Sequence, residues 1–376
     1  MAGKQRSGLA NHRKAYRCGR CPPLQVPIPI PNPNPNPIPE CPSVTLSNIA
    51  TFDGQKWILN ANTTVLACQT FTIPLGNILF IPSGIMLTNL GTHSIVNDGS
   101  ITNDGTLYNN GGTIRNNGTI TNNNAGTITN DNLGNVINTN GARITNDVGG
   151  QINNNLGGTI LNNSGATIVN NQGIINQGTI TNSLGGTITN NNGAAIANNS
   201  SITNYGAIDN YSAINSDRTG ILVNNNGGVI TNNSGSFIVM SSGGVLINNG
   251  TINNNANATL NNTSNATVTN TNGGNISNNG IVYNNNTSVI NNNAGGTITN
   301  NNGGIINNFA ASVIVNDNTI TNNNGGIFYN TSLSVITNNG TFTNNGSINN
   351  ADNSSYCGYG TLNGRNPITP TGNACP

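Results

Sequence analysis

Residues 118–146 read GTITNNNAGTITNDNLGNVINTNGARITN. Ile120, Ile128, Val136 and Ile144 mark the centre of four similar units, eight residues apart, each followed two positions later by asparagine. Units of the form G-T-I-T-N-N or G-G-T-I-T-N-N-N recur from Ile114 to Ile348. Their 33 apolar markers are separated by 11 spacings of six and 21 of eight, and none is odd. Side chains of a β-strand alternate faces with period two, so inserting two residues keeps a buried set buried, whereas inserting one turns it outward. Tolerance of six and eight, never seven, is the signature of strands with one buried face. Upstream, Ile95, Ile101 and Leu107 follow the rule on odd numbers, which places one register shift, expected as a bulge around Gly111 and Gly112, before Ile114.

The expected fold is therefore all-β: a single-stranded β-solenoid (β-helix) of short six- and eight-residue strand units. Its core is read as the markers, among them Ile114, Ile120, Ile128, Ile188, Ile230, Ile298, Ile320 and Ile336. The same parity turns Asn122, Asn130, Asn190, Asn232, Asn300 and Asn322 inward. Asparagine carries both donor and acceptor, so stacked side chains in successive coils can bond one another and the corner backbone. Their role is read as scaffold. Glycine supplies the positive φ of tight corners. Three units per coil would give about eleven coils and roughly 50 Å, two per coil roughly 80 Å; the irregular order of sixes and eights leaves both open.

Composition agrees. Of 376 residues only 6% are charged, 34% hydrophobic and 4% aromatic, too little apolar mass for a large conventional core. The density of Asn and Gly leaves no helical stripe. Six of the eleven basic residues fall before Arg20 or at it, and no acid precedes Glu40. Residues 1–22 thus form a basic, extended or disordered arm, suited to docking on an anionic surface or another structural protein. Residues 23–40 are a Pro-rich spacer of polyproline II character. Residues 41–92, with Trp57, are expected as an N-terminal β cap, 93–350 as the solenoid and 351–376 as a Cys-containing C-terminal cap. The arm has no apolar h-region, so no classical signal peptide is expected, and Pro74, Gly76, Pro82 and Gly84 interrupt the apolar stretch from Phe71 to Leu87, which excludes a transmembrane segment.

Catalysis on a solenoid needs clustered carboxylates or bases. The body offers only scattered Asp and Arg, the closest pair being Asp217 and Arg218, and both histidines stand alone. Enzymatic activity, a cofactor and a small-molecule substrate are not expected. The calcium-binding nonapeptide, with Asp in every repeat, is missing. Cys18, Cys21, Cys41, Cys68, Cys357 and Cys375 all lie outside the repeats. Cys18 and Cys21 lack partners for a zinc site, so disulfides are expected, for example Cys357 with Cys375, worth about 3 kcal/mol, with links between subunits equally open. Sequons such as Asn117-Gly-Thr119 arise by composition.

Runs such as NGTITNNNAGTITN and GGTITNNNGG resemble the repeats of filamentous haemagglutinin-like adhesins and of Asn-rich fibre or surface-layer proteins of giant DNA viruses, over roughly residues 93–350. The resemblance implies a structural fibre, filament or coat at a virion or extracellular surface, self-associating as a homo-oligomer or filament. The alternative is an ice-binding or carbohydrate-binding adhesin solenoid. Eight units carry T-x-T pairs that would point outward, and those around Ile298, Ile320 and Phe342 are three units apart. Elsewhere the outward residues vary, which speaks against one regular plane.

Overall fold

Each unit forms one short strand whose first and third residues face out while the marker and the asparagine are buried, as in Thr119–Asn122 and Thr297–Asn300. The computed structural model describes residues 44–66, 69–351 and 353–364. The basic arm, the Pro-rich spacer and Cys18, Cys21, Cys41, Cys68 and Cys375 lie outside the described residues.

Every strand of the solenoid pairs in parallel with the strands three before and three after it, so three units make one coil. Thr119–Asn122, for example, lies between Ser100–Asn103 and Arg143–Asn146, with Ile120 opposite Ile101 and Ile144. Three sheets result. Sheet I runs from Thr70–Ile73 to Ser355–Cys357 and sheet III from Thr63–Val65 to Ser347–Asn350, each with 14 strands; sheet II, ending at Thr361–Gly364, has 16. Fourteen stacked strands span roughly 60 Å at the usual sheet spacing. All eight core markers singled out above are buried, as are the six inward asparagines.

Two boundaries differ from the reading of the sequence. Most of residues 41–92 is not a separate cap: Thr70–Ile73, Ile78–Ile81 and Met86–Leu90, the apolar stretch from Phe71 to Leu87, form one complete coil paired in register with the next. Among the described residues of this stretch, the one-turn helix Leu46–Ile49 and the antiparallel pair Ala50–Phe52 and Trp57–Leu59 depart from solenoid geometry. At the other end, Ser355–Cys357 and Thr361–Gly364 add two more parallel strands beyond residue 350. The first stretch lacks the Asn-Thr composition of the repeats while keeping their alternation, which is why composition set that limit too narrowly; the two C-terminal strands pair in register without alternating in burial.

The register shift is absorbed at a corner, not by a bulge within a strand. Met86–Leu90, Thr106–Asn110 and Thr127–Asp131 are each extended to five residues there. Gly91 N–H donates to Asn110 O and Gly111 N–H to Asp131 O, and Gly111 takes φ +84°. A corner faces no core, so one odd residue can be spent there without reversing the strand that follows.

The eight-residue units differ from the sixes by a two-residue turn at the corner. Most of these turns place glycine at the second position with positive φ, as Gly141 and Gly157 do. Others manage without glycine and set both residues left-handed: Asn132 and Leu133 at φ 50° and 66°, Ser332 and Leu333 at 57° and 66°. Leu133 is 75% exposed, so no burial offsets its backbone strain. Leu133→Gly is expected to stabilise the protein by about 1 kcal/mol; an unchanged or lowered urea midpoint would refute that account of the corner.

Candidate functional site

The interior is the most highly organised part of the molecule, and it is built from two inward positions per strand. The markers meet on the axis and leave little space. A void of about 30 Å³ follows the axis from Leu107 to Leu222, and one of about 10 Å³ from Leu260 to Phe328, both walled by aliphatic and aromatic side chains alone. Neither holds room for a ligand. At the C-terminal end Phe328, Phe342 and Tyr356, one from each sheet, pack edge to face with ring centroids 5.2 and 6.1 Å apart. Burial pushes the Tyr356 hydroxyl up to about 12.

The second inward position carries the amides. In sheet II, Asn103 Nδ2 donates to Asn122 Oδ1 at 2.7 Å, Asn122 to Asn146 at 2.9 Å, and the sequence continues coil by coil to Asn322 and Asn344 at 2.8 Å. A matching ladder in sheet I runs from Asn97 to Asn338. Each amide nitrogen also donates to corner carbonyls: Asn122 to Gly126 O at 2.9 Å and Gln151 O at 3.1 Å. Asn130, Asn190, Asn232 and Asn300 make the same two kinds of bond. Donors always point toward the C-terminal neighbour, so the ladders are polar.

In sheet III the ladder is interrupted. Asn198 donates to Ser216 Oγ at 2.9 Å, the next rung is Met240, and the amides resume at Asn262. Asn262 Oδ1 is buried without a donor, and so are Asn89, Asn97 and Asn103 Oδ1 at the three ladder starts. Their counterparts one coil earlier are Val65, Ile73 and Ile81, whose side chains have no N–H to give. Each stranded acceptor follows directly from an apolar predecessor.

Scattered charges serve the corners. Asp98, Asp104, Asp147 and Asp317 accept from asparagine side chains of the adjoining coil. Asp217 accepts from the Arg218 N–H of its own corner and from Ser241 Oγ, so this pair closes a turn. His93 is buried beside a corner where its carbonyl accepts from Asn89. Among the described residues no group of three or more His, Cys, Asp or Glu could hold a metal, and no helix is long and apolar enough to cross a membrane. Cys357 lies on the last strand of sheet I; its suggested partner Cys375 is outside the described residues.

The outer faces differ from one another. Sheet I shows β-branched residues, including Ile221, Val223, Val245 and Ile247. Sheet III carries a shallow cleft of about 340 Å³ lined by Tyr283, Asn307, Phe309, Tyr329 and Thr331. Sheet II is dominated by threonine. The three-unit spacing of the T-x-T pairs around Ile298, Ile320 and Phe342 does stack them on one face, and five of the eight pairs, with those around Ile120 and Ile188, fall on sheet II. Much of the outward variation belongs to the other two sheets, although Arg143, Val169, Asp209, Val229 and Asn275 still interrupt the threonines of sheet II.

No family model and no curated protein matches the chain. Among solved structures, one described as a TibC-catalysed hyper-glycosylated TibA fragment is similar at 17% identity, covering 82% of this chain and 98% of that one, with a TM-score of 0.33. A likeness at that score assigns neither family nor activity.

Two outcomes test the energetics. Asn278 accepts from Asn254 and donates to Asn300 at 2.7 Å, so Asn278→Leu strands Asn300 Oδ1 and should cost about 1–3 kcal/mol. Asn278→Ser, which copies Ser216, should cost less, and equal urea midpoints for the two variants would count against the ladder. Asp209 stands on sheet II between Thr189 and Thr231, and burial raises its carboxyl above the ordinary value. An acid raised by folding opposes stability once ionised and ceases to do so when protonated. Asp209→Asn should therefore raise the thermal midpoint at neutral pH, with the gain fading as pH falls through the folded carboxyl's pKa; a pH-independent difference would refute this.

Proposed function

We propose that this chain is a structural rod: a stiff element of a fibre, filament or coat at a virion or cell exterior, and not an enzyme. The observation that carries the reading is the amide ladder. From Asn89 onward, rungs in three sheets, interrupted at Met240 in sheet III, tie coil to coil, so bending or shearing the stack would break buried hydrogen bonds together with the parallel strand pairs. The interior has no space for a substrate, and Asp98, Asp104, Asp147, Asp217 and Asp317 are occupied in corners. The basic arm 1–22 and spacer 23–40 supply a tether to an anionic surface or another structural protein, the solenoid supplies length, and copies associate into a homo-oligomer or filament, with the cysteines as staples within or between them.

Negative-stain electron microscopy of the purified full chain tests this. Rods about 20 Å wide and at least roughly 60 Å long are expected, and shortening on reduction would place disulfides between subunits. Featureless, collapsed particles would sink the proposal.

A further inference from the structure

Sheet II differs from its neighbours in what it presents to solvent. Counting the first and third residues of each strand, 16 of 26 outward positions from Ser100–Asn103 to Thr361–Gly364 are threonine. The corresponding figures are 8 of 26 for sheet I from Ser94–Asn97 and 4 of 24 for sheet III from Thr106–Asn110, so the enrichment belongs to one face. It is densest at the C-terminal end. There Thr297, Thr319, Thr341 and Thr361 stand directly opposite one another in consecutive coils, and Thr299, Thr321 and Thr343 form a second rank.

Backbone pairing fixes the lattice of these ranks. Successive coils set about 4.8 Å in one direction, and two residues along a strand set about 6.6 Å in the other. The β-branched side chain restricts χ1, so hydroxyl and methyl are held in place with little entropy left to lose. The corners leading into Thr319–Asn322 and Thr341–Asn344 are of the short kind, whereas those leaving Thr297–Asn300 and Thr319–Asn322 carry the two-residue turns of Gly303 and Gly325. The hydroxyls are also unused. None of these seven threonines hydrogen-bonds through its side chain to a described residue, whereas the corner threonines Thr139, Thr219, Thr263 and Thr287 all donate to protein acceptors.

A single exposed hydroxyl gains almost nothing by binding, because liquid water satisfies it equally well. Two ranks at fixed spacings gain only against a partner whose oxygen atoms already repeat in two dimensions on a similar scale, where many weak contacts form at once without fresh ordering. The lattice is uncharged along this stretch, which excludes ionic and nucleic-acid surfaces as its natural match. Both spacings are of the size of the oxygen repeats on a face of ordinary ice. We propose that the threonine face of sheet II binds an ice crystal surface, the threonine methyls and hydroxyls together ordering interfacial water into register with the lattice. Ser100, Arg143, Val169, Ala207, Asp209, Val229, Asn253, Asn275 and Ser277 break the ranks farther toward the N-terminus, and Asn363 ends the second rank, so the coils from Thr297 onward are the binding end.

The full chain is assayed for thermal hysteresis and for retention in a slowly growing ice front. Measurable hysteresis and enrichment in ice are expected. Thr321→Tyr and Thr343→Tyr should each lower the hysteresis severalfold, Thr321→Val should lower it less, and Thr181→Tyr and Thr269→Tyr on sheet I should leave it unchanged, with circular dichroism confirming equal sheet content. Absence of hysteresis in the unmodified protein, or equal loss from the sheet I variants, would overturn the proposal. Sedimentation with crystalline cellulose without retention in ice would overturn it too, in favour of a hydroxyl-bearing polysaccharide face. None of these outcomes depends on whether the rods assemble, which microscopy decides separately.

Discussion

The hydrogen bond from one buried asparagine amide to the next, repeated coil after coil, is the constraint on which the rest of this structure depends. A carboxamide removed from water must satisfy both its nitrogen and its oxygen, or the fold bears the desolvation cost. Here the nitrogen finds the next rung and corner carbonyls, and the oxygen finds the rung before. That arrangement works only if consecutive coils are in register, so the ladder and the strand pairing enforce each other. It also explains how a chain so poor in large apolar residues folds. One aliphatic marker per strand fills the axis, and the amides supply what a second apolar layer would otherwise provide.

The departures from the ladder are as informative as its rungs. Val65, Ile73 and Ile81 replace amides in the earliest coil, where no preceding rung exists to donate to a side-chain oxygen. Phe328, Phe342 and Tyr356 thicken the axis at the opposite end. Met240 occupies a rung in mid-stack, and the price is a single stranded oxygen on Asn262. The array accepts such a substitution because it fails locally: the rungs beyond it bond as before.

Much of this was legible in the amino-acid order. Even spacing of the markers fixed which residues face in, because alternation is a property of every strand regardless of its partners. The inward asparagines followed from the same parity. What escaped was anything that depends on closure in three dimensions. Six- and eight-residue units alternate without a rule of their own, so the number per coil could not be settled until Ile120 was seen opposite Ile101 and Ile144. Thr299 and Thr321, three units apart, are neighbours only if a coil holds three units, and the pairing of their strands shows that it does. Compositional limits failed for a similar reason, since Phe71, Leu79 and Leu87 obey the strand rule while differing from the repeats in chemistry.

The polarity of the ladders gives the molecule an order of construction. A coil whose rungs are asparagine needs a predecessor to donate to its side-chain oxygens, whereas the coil holding Phe71, Ile73, Leu79 and Ile81 can bury itself against its neighbours with no such donor. The self-sufficient coil lies near the N-terminal end, the part of the chain that leaves the ribosome first. Each later coil then arrives at an edge already presenting amide donors in register, and the solenoid can lengthen during synthesis like a zip drawn from one end, with no long stretch of unpaired strand left waiting for a distant partner.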